Sequence, residues 1–143
     1  MFNVKKLISV LSASLIVSAI AVSVSAASLS NYNGSVAYNS RSNKEDSGSD
    51  YSIQVFYDYG TSTPFDNARI FSKVSSTKNT NMTATIHYAD YGSNAFTTKE
   101  AEPIKNGTGE AYVNYNPANV DYLQPNSYAQ ATYGNITYTL TVK

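Results

Sequence analysis

The chain has no cysteine and no tryptophan. Without thiols there is no disulfide staple, no cysteine zinc site and no thiol nucleophile, so packing alone must hold the fold. Histidine is nearly as scarce. The single one, His87, stands without a G-x-S-x-G elbow or any other triad pattern. Leucine is thin as well: after residue 26 only Leu29, Leu123 and Leu140 remain. Charged residues make up 14% of the chain and form no basic run. That removes the electrostatic footprint that nucleic acid or an anionic membrane surface requires. What is abundant is tyrosine, 13 residues of it, together with Thr, Ser, Asn and Val, a composition of strands and turns.

One long apolar run exists, at the start. Lys5 and Lys6 are followed by no charge from Leu7 to Asn33, and Val24-Ser25-Ala26 ends in small residues. A basic start, an apolar middle and a small-residue exit predict a secretory signal peptide cleaved after Ala26. A retained transmembrane helix is the competing reading. Six serines between Ser9 and Ser25 dilute it, and no basic stop-transfer cluster follows. The expected organisation is a signal peptide over 1–26 and a single domain over 27–143, with 34–50 partly flexible. That domain is long enough to bury a core without staples. Residues 27–143 keep 8 of the 10 basic residues and all 10 acidic ones, a net charge of −2. Export without cysteine points to a protein released by a Gram-positive bacterium, with no membrane attachment after cleavage.

Alternation with period two recurs through the rest. A first strand is expected over Ser35–Ser40, with Val36 and Tyr38 on one face. Arg41–Asp50 is polar throughout and reads as a loop. Tyr51–Asp58 alternates cleanly. Ala68–Val74 is a strand with Ile70 and Val74 facing one way and Phe71 the other. Ser75–Asn81 reads as a polar turn before a strand over Met82–Ala89. Ala95–Lys99, Glu110–Tyr115, Tyr128–Tyr133 and Ile136–Val142 complete the set. Seven to eight short strands with turn signals every 8–12 residues predict an all-β antiparallel sandwich, with a small closed barrel as the alternative.

The stretch Leu123-Gln124-Pro125, followed by Tyr128 opening a strand, resembles the tyrosine corner of immunoglobulin-like and fibronectin type III-like sandwiches. The resemblance covers about a dozen residues, with one residue fewer between Pro125 and Tyr128 than the usual fibronectin form. It implies that class of sandwich, and a Tyr128 hydroxyl bonded back to the upstream backbone.

Catalytic patterns are absent. The ten acids lie mostly in loops and single out no carboxylate pair, so no cofactor and no enzymatic activity are expected, a hydrolase being the third alternative. Asp46-Ser47-Gly48-Ser49-Asp50 and Asp90-Tyr91-Gly92-Ser93-Asn94 place oxygens at alternate positions without completing a calcium loop. The aromatics carry more. Phe56, Phe71 and Tyr112 point opposite to their strands' apolar rows, while Tyr59 and Tyr91 end strands within two Asp-Tyr-Gly triplets 32 residues apart. Those triplets are either equivalent turns or a duplicated device presenting two tyrosines at one end of the fold. Tyrosine offers a flat apolar face and a polar tip at low entropic cost. The sequence therefore predicts an extracellular binding protein in which Phe56, Tyr59, Phe71, Tyr91 and Tyr112 form one exposed patch for carbohydrate or protein. A secreted antagonist, such as a bacteriocin-like toxin or an enzyme inhibitor, is the alternative.

Overall fold

In a computed structural model, residues 28–60 and 67–143 are described. The expected signal peptide with its cleavage point at Ala26, and residues 61–66 between the strands expected over Tyr51–Asp58 and Ala68–Val74, lie outside the described residues. Among the described residues eight strands follow in order: β1 (Tyr32–Val36), β2 (Ser42–Ser47), β3 (Tyr51–Asp58), β4 (Arg69–Tyr88), β5 (Thr97–Glu100), β6 (Ile104–Tyr115), β7 (Tyr128–Tyr133) and β8 (Ile136–Val142). They form one mixed sheet in the order β1-β8-β7-β4-β3-β2, with β5 and β6 also paired to β4.

β4 organises this sheet because its two halves have different neighbours. Arg69–Ser76 lies between β3 and the end of β6, while Met82–Tyr88 lies between β7 and β5. The sheet curls along β4 until β3 packs on β7 and β8 without pairing to them, nearly closing a barrel. The enclosed row is what alternation dictates: Ile53, Val55 and Tyr57 from β3, Ile70 and Val74 from β4, then Met82, Ala84 and Ile86, and Leu140 and Val142 from β8. Ser72 interrupts the row, and its hydroxyl donates to the Gln130 carbonyl of β7 at 2.8 Å. A buried hydroxyl satisfied in this way avoids the desolvation penalty of an orphaned one.

β7 and β8 match the expected bounds, and Gly134 (φ 58°) opens the two-residue hairpin between them. Only glycine takes the first position of such a turn without strain. Elsewhere the structure corrects the expectations. The two strands predicted around Ser75–Asn81 are one 20-residue strand. The first strand begins at Tyr32 and stops at Val36. The expected flexible stretch 34–50 contains β2, paired to β3 from Ser42↔Tyr57 to Ser47↔Ser52. β6 begins at Ile104, six residues ahead of the strand expected over Glu110–Tyr115. The sheet is not wholly antiparallel, because β1 runs parallel to β8.

The corner is also built differently. Gln124-Pro125-Asn126-Ser127 is a turn closed by Ser127 N donating to the Gln124 carbonyl at 3.1 Å, with Asn126 at φ 75°. Proline then left-handed asparagine is the type II pattern. Leu123 is fully buried beneath it. The Tyr128 hydroxyl makes no bond to the upstream backbone among the described residues, because Tyr128 lies on the outer face, its ring 5.2 Å from that of His87. Ser127 and Tyr57 take the role expected of Tyr128. The buried Ser127 hydroxyl donates to the Gln124 carbonyl at 2.6 Å. Tyr57 Oη donates to the Tyr38 carbonyl at 2.6 Å and accepts from Leu123 N at 3.3 Å.

Candidate functional site

The two Asp-Tyr-Gly triplets end β3 and β4, and both reach the segment Asp121–Gln124. Gly60 N donates to the Asp121 carbonyl at 2.6 Å, and Tyr91 N to the Tyr122 carbonyl at 3.0 Å. Asp90 bridges Leu123, and Gly92 N donates to Gln124 Oε1 at 2.8 Å. This grip sets Tyr122 between the two triplet tyrosines. Its ring centroid lies 6.3 Å from that of Tyr59, nearly parallel, and 5.9 Å from that of Tyr91, at a steep angle. Tyr38, from the β1–β2 connection, stacks on Tyr91 at 5.0 Å and meets Tyr122 edge-on at 5.5 Å. Four rings thus form one cluster at one end of the sheet. Tyr91 is 52% exposed, while Tyr38, Tyr59 and Tyr122 are half-buried.

Phe56, Phe71 and Tyr112 form a separate group on the outer face of β3, β4 and β6. The cross-strand pair Phe56↔Phe71 stacks at 4.7 Å, and Tyr112 tilts against Phe71 at 5.9 Å. The guanidinium of Arg41 lies 5.3 Å from the Phe56 ring centroid, and that of Arg69 lies 5.3 Å from the Phe71 centroid. These arginine planes cover the rings, as cation–π attraction favours. Phe56 and Phe71 are consequently 7% and 9% exposed, against 41% for Tyr112. The expected single exposed patch does not exist. Tyr59 and Tyr91 are brought together; Phe56 and Phe71 are buried beside a lone exposed Tyr112.

His87 occupies the outer face, as alternation requires, between the rings of Phe96 at 4.8 Å and Tyr128 at 5.2 Å. Its Nδ1 lies 2.8 Å from Thr98 Oγ1. The loop carboxylates weighed for calcium are engaged elsewhere. Asp46 pairs with Lys44 at 2.6 Å, Asp50 with Lys78, and Asp90 accepts from Tyr115 Oη at 2.8 Å. Among the described residues no three acidic or histidine side chains converge in a metal-holding group.

Two members of the tyrosine cluster escaped the sequence reading. The alternation places Tyr38 only on a face shared with Val36, and nothing in the pattern singles out Tyr122. The signal that locates them is the triplet repeat itself: two equivalent strand ends need a common segment to bind, and Asp121–Gln124 supplies it. No family model, no curated protein and no solved structure matches this chain.

Proposed function

We propose that the protein is a small secreted, non-enzymatic binding protein that presents Tyr91, backed by Tyr38, Tyr59 and Tyr122, to the apolar face of an extracellular carbohydrate. One observation carries this reading. Tyr91 is half exposed, yet its ring stacks on Tyr38 and its backbone is tied to Tyr122. A large ring left in water has its hydrophobic contribution still to be gained. A ring already fixed in place loses little conformational freedom when a ligand covers it. The surrounding hydroxyls and the amide of Gln124 add hydrogen-bonding groups around the ring, the mixture that a sugar presents in complement.

The fold reading that goes with this function is an immunoglobulin-like sandwich wrapped toward a barrel. Its support is the division of β4, whose first half belongs to β2-β3-β4-β6 and whose second half belongs to β5-β4-β7-β8-β1. The test of function is retention on insoluble cell-wall polysaccharide. Wild-type protein should be retained and Tyr91→Ala should elute. Equal retention of both would reject the tyrosine cluster as the site.

A further inference from the structure

The sheet ends in two strands whose outer edges pair with nothing among the described residues: β1, bonded only to β8, and β2, bonded only to β3. The curl brings these ends together, and side chains bridge the seam. Asp46 on β2 pairs with Lys44 at 2.6 Å and accepts a hydrogen bond from Tyr138 Oη of β8. Lys44 Nζ lies 5.9 Å from the ring centroid of Tyr32 on β1 and 5.5 Å from that of Tyr138. A cleft of about 300 Å³ opens here, bounded by residues 28–32, Lys44, Asp46, Tyr51 and Tyr138.

We propose that this seam cleft is a second binding site, selective for a single neutral sugar ring. Three aspects of its chemistry lead there. Its charges are internally compensated, since the ammonium and the carboxylate pair with each other, so neither an anion nor a cation meets a net field. Its walls combine the aromatic rings of Tyr32, Tyr51 and Tyr138 with polar groups that still have capacity. Hydrogen bonds from Lys44 and Tyr138 hold the Asp46 carboxyl below its usual range, which keeps it an ionised acceptor for hydroxyls. Asn31 accepts from Thr137 N at 2.8 Å through its side-chain oxygen, leaving its amide NH₂ to donate. A pyranose ring offers the matching set of one C–H face and a rim of adjacent hydroxyls. The volume sits at the small end of ligand pockets, which suits one ring.

The rings are also seated. Tyr32 lies over Gly34, so a side chain at position 34 would collide with it, and Tyr51 lies over Gly48, where an added Cβ would come within 2.6 Å of the ring. Inward charge on an edge strand guards against edge-to-edge pairing, and that accounts for Lys44 and Asp46 alone. It does not account for rings bedded on glycines around an open cleft. The seam site stands independently of the tyrosine cluster, because Tyr32 opens β1 while Tyr38 lies past its other end.

The test is amide chemical-shift mapping on the purified protein with free glucose, galactose and N-acetylglucosamine as probes. At least one should shift residues 30–32, 44–46 and 138. Asp46→Asn should weaken that affinity about tenfold or more, the scale of a charge-assisted hydrogen bond. Tyr112→Ala, at an exposed ring outside both sites, should leave it unchanged. Gly34→Ala, which displaces the Tyr32 ring rather than removing a charge, should also weaken binding, and provides a second variant if Asp46→Asn fails to fold. No shifts at the seam with any of the three sugars would overturn the proposal. So would an undiminished affinity in the folded variants.

Discussion

Tyr57 places one hydroxyl between two backbone groups, the Tyr38 carbonyl and Leu123 N, that are otherwise left without that partner. Ser127 does the same at the turn beside it, accepting from Ala89 N at 3.4 Å while donating to the Gln124 carbonyl. Tyr128, by contrast, makes no bond to that backbone. Ser127→Ala should therefore lower stability by about 1–3 kcal/mol, the cost of leaving the buried Ala89 N–H unsatisfied, while Tyr128→Phe should stay within about 0.5 kcal/mol of wild type, as surface changes do. Urea denaturation midpoints of the two variants check this. Equal losses would restore the tyrosine corner. The residue that carries the corner was hard to read because Ser127 is one small hydroxyl among many serines, and its depth follows from the curl of the sheet.

Several tyrosines also tie stability to alkaline pH. Burial raises Tyr57 from 10.0 to about 12, against a smaller lowering by the hydrogen bond from Leu123 N. Burial likewise raises Tyr115 to about 12, with further raising from its hydrogen bond to Asp90. A folded-state pKa above the unfolded one favours the protonated fold. The contribution is complete below pH 10.0 and is lost as pH climbs through about 12. Urea midpoints should hold up to pH 10 and fall between there and pH 12, with tyrosinate absorbance showing a late-titrating class. A midpoint independent of pH across that interval would contradict the placement of these hydroxyls.

Among the elements, β7 and β8 were legible because each has one face toward the core. Ile136, Tyr138, Leu140 and Val142 alternate with threonines, and the structure buries the last three. β4 was split by the sequence reading because Thr77, Lys78 and Asn79 are exposed and polar. Backbone pairing with β6 holds the strand on either side of them, at Ser76 and again at Thr80, with register shifts between Ser76 and Met82, and pairing leaves no mark on side-chain periodicity. β2 was read as loop for a related reason. Its sequence, S-N-K-E-D-S, is that of a blunted edge, with Lys44 and Asp46 turned toward the seam. That arrangement makes a prediction. Lys44→Val should convert β2 into an open apolar edge and cause concentration-dependent association, measured by size-exclusion chromatography with light scattering. An elution position independent of concentration would show that the lysine is not guarding the edge.

At the scale of the whole molecule, the curl decides where function can lie. Two strand ends that repeat Asp-Tyr-Gly converge on one segment, and the tyrosines of that end stack into a cluster with Tyr91 outermost. The repeat was visible in the sequence; its convergence was not, because Tyr59 and Tyr91 meet through Tyr122, and Tyr38 joins them from the β1–β2 connection. Phe56 and Phe71 looked outward by alternation, correctly, but alternation says nothing about arginines from β4 and the β1–β2 connection lying over them. The most direct measurement is a comparison of equilibrium affinities for soluble cell-wall polysaccharide among wild type, Tyr91→Ala and Tyr112→Ala. Both substitutions remove an exposed tyrosine, but only Tyr91 belongs to the cluster. The account predicts a loss of at least about tenfold, some 1.4 kcal/mol or more, for Tyr91→Ala and no change for Tyr112→Ala. Equal losses in the two variants, or none in Tyr91→Ala, would contradict it.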